Sequence, residues 1–425
     1  MTGLASIARP LLPAFVVTLC SAMWPGVLAA AETVIALAEA ERLALDQDPL
    51  VRGFEAQSAA YGEQAIADRQ LPDPQLRFGI QDIPTDTFSR TADDFTMLVV
   101  GAQQSFPRGR TLRYRSEQTL AMSEGESAKA ALQRLLVLQA VRNAYVELHY
   151  QGHAEGILRK NRALFGELLA ITETQYAAGR DNQHDVIRAQ LELSLLDDRL
   201  TQAASDREQA AVELSKWIGA AAERPLADEL PSLPGPLPKE ALAARLIEHP
   251  AIEVEDAAVS AGEQAVAVAA EQYKPGWMLD VSYGNRNEVG GVELSDFLSA
   301  MVTVDLPLFP HNRQDRNVAA TRQQVTAAVY ARAEKLRELT RMLDAEHAKF
   351  MRLGERLDLY EKRAQVEAAQ TTEATLAAYE TGRSDFISML RARMADLDTQ
   401  LATMRIKADR AKSHAALLYL AGEAP

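Results

Sequence analysis

His149 and His153 stand four residues apart in "ELHYQGH". On a helix that spacing puts two imidazoles on one face, as two metal ligands would require. Glu147, Tyr150 and Gln151 surround them, and a solvated helix face is the favoured reading. The other histidines are scattered, and the eleven methionines form no close run. No P-loop, G-x-S-x-G or H-E-x-x-H pattern is present. The expectation is therefore no catalytic residue, no cofactor and no bound metal. An exported metal ion would pass through in water. Arg108, Arg110, Arg113 and Arg115 form a local basic cluster. It suits either lipid phosphates at a membrane boundary or a solvated helix start with crossed ion pairs.

The chain has 425 residues and a formal net charge of −14. No long basic run is present, which argues against a nucleic-acid partner. Residues 1–31 read as a secretory signal: Arg9, then an apolar run ending in Ala29-Ala30-Ala31. A membrane anchor is the alternative, weakened by Pro13 and Pro25. Cys20 lies inside this segment, with Leu19 where a lipoprotein signal carries a small residue. Cleavage near Ala31 would leave a chain without cysteine and without disulfides. No later segment is apolar over about 18 residues, so membrane entry would require a β-barrel.

The elements that position these residues come in two copies. "DQDPLV" at 46–51 returns as "IEHPAI" at 247–252, and "YGEQAIADRQ" at 61–70 as "AGEQAVAVAA" at 261–270. "SFPRGRTLR" at 105–113 returns as "LFPHNRQDR" at 308–316, and "YAAGRD" at 176–181 as "YETGRS" at 379–384. These landmarks set a first repeat at 32–222, a proline-rich linker at 223–239 and a second repeat at 240–425. Each repeat reads as helix, strand pair and long helical hairpin, with tips at 179–182 and 382–385. "QLRFGIQ", residues 95–106, "WMLDVSYGN" and "LSAMVTVDL" are the strand candidates, three of them alternating cleanly with period two. On their own they fit a barrel wall facing water or a half-buried soluble sheet. Four strands cannot close a water-filled barrel, which needs about eight, so several chains would have to pool theirs. Pro107 to Ala178 and His311 to Thr381 each run without internal proline for a length of roughly 105 Å. The shorter partners 50–71 and 183–220, stacked, come to roughly 90 Å. Gly179 and Gly382 can end the long helices in the left-handed conformation. The tips should therefore lie furthest from the strands.

The two repeats, Asp48-Pro49, His249-Pro250, the strand pairs and the sequences "YAAGRDNQHDVIRAQLEL" and "YETGRSDFISMLRARMADL" resemble the TolC-type outer-membrane efflux family. The fold that resemblance implies is mainly α with a small β part. Long helical hairpins form a periplasmic tunnel, and a homotrimer shares a 12-stranded β-barrel in outer-membrane lipid. It implies a periplasmic adaptor docked at Gly179, Arg180, Gly382, Arg383 and Ser384. An inner-membrane pump of the resistance-nodulation-division type would stand behind that adaptor. "LPDPQLRFGIQDIPTDTFSR" is similar to members that work with heavy-metal pumps. The family's periplasmic gate uses an aspartate that Asp185 matches and a tyrosine that Tyr379 matches. Its arginine position is Ser384 here, with Arg383 one place earlier. Its two pore aspartates are Ser388 and Arg391 here, and Asp385 is the nearest acid. The alternatives are a type I protein-secretion duct and a soluble periplasmic coiled-coil scaffold.

Overall fold

The computed structural model describes residues 34–179, 182–230, 233–235 and 237–422. The signal segment 1–31 with Cys20, and Arg180, lie outside them. Helix α1 spans Leu37–Gln47 and α2 spans Pro49–Asp68. Strands β1 (Gln75–Gln81) and β2 (Met97–Phe106) lead into α3, Thr111–Ala177. Helix α4 follows at Gln183–Ile218. The same order then returns: α5 (Lys239–Arg245), α6 (Pro250–Glu271), β3 (Gly276–Arg286), β4 (Phe297–Asp305), α7 (Gln314–Leu359), α8 (Gln365–Glu380) and α9 (Phe386–Leu420).

The two proline breaks work alike, with different chemistry. Asp48 Oδ1 accepts from the Val51 amide at 2.8 Å and caps α2, with Pro49 in its first turn. His249 Nδ1 accepts from the Ala251 amide at 3.2 Å and caps α6. Its Nε2 donates to the Tyr419 carbonyl at 3.0 Å. Both ring nitrogens are thus used in the neutral form, and burial holds the His249 pKa below its ordinary value. His149 and His414 are shifted the same way, again mainly by burial. A depressed histidine adds stability that is complete above its unfolded pKa of about 6.5 and is lost as pH falls through the folded value. The thermal midpoint should therefore drop as the medium is acidified below about pH 6.5. His249→Asn, which keeps an oxygen cap, should flatten that drop in a pH series of thermal melts. An unchanged slope would show that His249 does not titrate in this way.

Helix α3, about 100 Å long at 1.5 Å per residue, is the spine. Near the strands it lies between α2 and α6, and α6 lies against α7. Further along it lies between α4 and α9, and α9 lies against α8. The result is a one-layer wall of four helices, with α2 stacked above α4 along one side of α3. Alanines line many of its seams, including Ala121, Ala128, Ala189, Ala203 and Ala210, all buried. Small side chains let long helices approach closely, which accounts for the alanine-rich composition. The stretch from His311 to Thr381, expected as uninterrupted helix, differs in two ways. Helix begins at Gln314, and a π turn at Tyr360–Ala364 separates α7 from α8. A π turn needs neither proline nor glycine, so composition did not announce it.

The strands form one antiparallel sheet in the order β1-β2-β3-β4. In its register Phe78 pairs with Val100, Val100 with Tyr283, and Tyr283 with Leu298. One face therefore carries Leu76, Phe78, Ile80, Val100, Val281, Tyr283, Leu298, Val302 and Val304. The other carries Gln75, Arg77, Gln103, Asp280, Ser282, Ser299 and Thr303.

Candidate functional site

The sheet inverts the usual burial rule. Phe78 is 80% exposed and Leu298 78%, while Asp280 on the opposite face is 8% exposed. A soluble sheet buries its apolar face, and no described element covers this one. Phe106 and Trp277 stack at the helix end of the apolar face, with ring centroids 3.8 Å apart. Tyr283 lies six residues further along β3 on that face, and Phe88 and Phe95 are exposed in the loop between β1 and β2. Apolar band, aromatic flanks and polar reverse face are the features of a membrane barrel wall. Among the described residues no helix is long and apolar enough to cross a membrane. The edges β1 and β4 each pair on one side only.

At the other end of α3 the chain reverses at Gly179, with φ +70°. Its amide donates to the Tyr176 carbonyl at 2.9 Å. The second tip is a complete Schellman turn at Gly382, with φ +69°. The Gly382 amide donates to Tyr379 O at 2.9 Å and the Arg383 amide to Ala378 O at 2.8 Å. Both glycines are exposed, as are Arg383 and Asp385, and Ser384 is half-buried.

The expected gate residues are placed as follows. Asp185 is half-buried in the first turn of α4. Tyr379 is buried among Phe165, Leu168, Ala189 and Phe386, and its Oη lies 3.5 Å from Thr172 Oγ1. Arg383 Nε donates to Thr381 Oγ1 at 3.0 Å within its own turn. Asp385 caps α9: its carboxylate accepts from the Ser388 amide and from the Ser388 hydroxyl, each at 2.8 Å. Those two bonds hold its pKa below the usual carboxylate value. The cap was readable from Asp385 standing three residues before Ser388 at a helix start. The burial of Tyr379 had no local signal.

The histidine pair needs correction. His149 is not on a solvated face: it is 4% exposed, stacked on His153 at 4.2 Å, and donates from Nε2 to the Asp228 carbonyl. The 222–228 segment covers it, a tertiary contact that local sequence does not show. Among the described residues no group of three or more His, Cys, Asp or Glu side chains could hold a metal ion. Two members of the arginine cluster are engaged in ion pairs, Arg108 with Asp305 and Arg113 with Glu117. One further site was not foreseen. Glu147 on α3 accepts from Arg405 at 3.1 Å and from Lys412, both on α9. Burial raises its pKa, but those cations and Gln151 outweigh burial and hold it below the ordinary value. This cluster ties the two repeats together midway along the wall.

Residues 41–220 match the outer membrane efflux protein family. The fold is that of outer-membrane channels. VceC of Vibrio cholerae, an outer membrane protein, superposes with a TM-score of 0.76 at 18% identity, over 91% of this chain and 96% of its own. The CmeC outer membrane channel of Campylobacter jejuni gives 0.75 at 15% identity, over 91% and 85%. The MtrE outer membrane channel of Neisseria gonorrhoeae gives 0.71 at 19%, over 91% and 88%. The match to that family covers 180 of the 425 residues, and the fold of outer-membrane channels extends over 91% of the chain. No curated protein matches it in sequence. The channels that share this fold, VceC, CmeC and MtrE among them, are outer membrane proteins. The exposed apolar face of this chain's sheet is consistent with that location and argues against the soluble scaffold.

Proposed function

We propose that three copies close a duct that carries small substrates, drugs or heavy-metal ions, out of the cell from a pump and adaptor. The observation that carries this reading is the two-faced sheet with both edges open. Pairing β1 of one copy with β4 of the next, three times, would give twelve strands and leave no edge. The helical wall has matching free sides, α2 and α4 on one and α7 and α8 on the other. Detergent-solubilised protein should run as a trimer and give discrete conductance steps in planar bilayers. A detergent-free monomer without conductance would sink the reading.

The tips, with exposed Gly179, Gly382 and Arg383 and half-buried Ser384, are the surface for a periplasmic adaptor, with a pump of the resistance-nodulation-division type behind it; Arg180, expected to share that surface, lies outside the described residues. Asp185, Tyr379, Arg383 and Asp385 cluster by the same tips and form the periplasmic gate. Arg383 is exposed and Asp185 half-buried, and a solvent-exposed polar contact contributes only about 0.2–1 kcal/mol, so closure is collective across the copies. Asp185→Ala combined with Tyr379→Phe should raise single-channel conductance and sensitivity to large antibiotics. Arg383→Ala beside Ser384→Ala separates a gate shifted by one residue from one lacking its arginine. Wild-type conductance in the double variant and in Arg383→Ala would remove these residues from the gate.

A further inference from the structure

Arg77 does not project from the sheet. Its Nη2 donates to Asp280 Oδ1 at 2.8 Å. Arg77 lies on the edge strand β1 and Asp280 on β3, with β2 between them. The guanidinium therefore crosses a whole strand. Beneath it is Gly101, which pairs with Arg77 on one side and Ser282 on the other. A β-carbon at Gly101 would stand 2.9 Å from Ser282 Cβ and 3.1 Å from Arg77 Nε. Glycine here gives the arginine room to lie flat. The other strand charges on this polar face are engaged near its two ends. Arg286 stacks over Phe297 at 4.6 Å and donates to the Asp94 carbonyl at 2.9 Å. Asp305 meets Arg108 at the helix end. Midway along the face, Arg77 and Asp280 are thus the charged pair, and their charges cancel.

We propose that this clip keeps the barrel wall free of net charge at mid-height, with Asp280 as the positioning residue that pins Arg77 and neutralises it. The inference rests on the duct reading, in which the polar face lines the pore. In a trimer the clip occurs three times at one level. Releasing it would place a ring of arginines in the path, the arrangement that selects anions in other pores. Pinned, the arginines let cations and anions pass alike.

The test is the reversal potential of single channels under a potassium chloride gradient. Asp280→Asn should raise the anion-to-cation permeability ratio about threefold or more, because a low-dielectric wall focuses the field of uncompensated charge. Arg77→Gln uncovers Asp280 to pore water and should shift it the opposite way. Arg77→Gln combined with Asp280→Asn should return to the wild-type value. Conducting channels of Asp280→Asn and Arg77→Gln with wild-type reversal potentials would overturn the inference and leave the duct intact. If Asp280→Asn fails to assemble, Arg77→Gln decides alone. A wild-type protein that does not conduct would overturn the duct reading and this inference with it.

Discussion

Val302→Arg is expected to abolish insertion of the sheet into the outer membrane. Val302 lies in the middle of β4 on the apolar face and is 59% exposed. An arginine on the lipid face at the bilayer midplane costs about 2–4 kcal/mol, and three copies would incur it three times. A domain has only about 5–15 kcal/mol of stability to lose. Outer-membrane fractions should then lack the trimer band, and the chain should collect as aggregate or degradation product. Thr303→Arg, one residue along on the polar face, should insert normally, since that face meets water. If both variants insert and conduct like wild type, the two faces of the sheet have been assigned wrongly.

The second large effect is expected at the tips. Gly179 and Gly382 have φ of +70° and +69°, and no atom lies within 4 Å of an added β-carbon at either. Valine there would meet no neighbour, so its cost is purely backbone. A left-handed residue with a side chain costs roughly 1–2 kcal/mol, and a β-branched one more. The wall is unaffected, because the buried clusters of α3, α4, α8 and α9 do not include the glycines. Gly179→Val with Gly382→Val should therefore still yield trimer while efflux collapses, measured as restored sensitivity to the pump's substrates. Gly382→Asn should retain most function, since asparagine tolerates this conformation. Cysteine at Ser384 should cross-link to an adaptor in wild type and not in the double valine variant. Undiminished efflux from the valine variants would show that the reversed turns do not matter for docking.

Local residue chemistry made much of this fold readable. Proline after Asp48 and His249 marked helix starts because it fits the first turn. Glycine marked the reversals because a left-handed residue is cheap only without a β-carbon. Alternation in "WMLDVSYGN" gave the faces of β3, since side chains there repeat with period two. What was hidden depends on partners distant in sequence. His149 is buried by a segment nearly eighty residues away, and nothing in "ELHYQGH" could show it. Glu147 reads as a surface acid until α9 brings Arg405 and Lys412 against it. Tyr379 matched a gate position by register, yet its contacts with Thr172 and Phe386 come from packing against α3 and α9.

Trp277 and Tyr283 share the apolar face of β3 six residues apart, which is about 20 Å along the strand at 3.3 Å per residue. A barrel tilt near 40° shortens that to about 15 Å along the bilayer normal. Ile80, level with Asn285, carries the apolar face two residues further, to about 20 Å along the normal, still thinner than an average hydrocarbon core of about 30 Å. Each ångström of hydrophobic mismatch costs a fraction of a kcal/mol, and a rigid closed sheet cannot stretch to relieve it. The bacterial outer membrane is thinner than average, so the penalty is smaller there than in a thicker bilayer. Strand length therefore acts as a sorting signal, favouring a thin membrane such as the outer one.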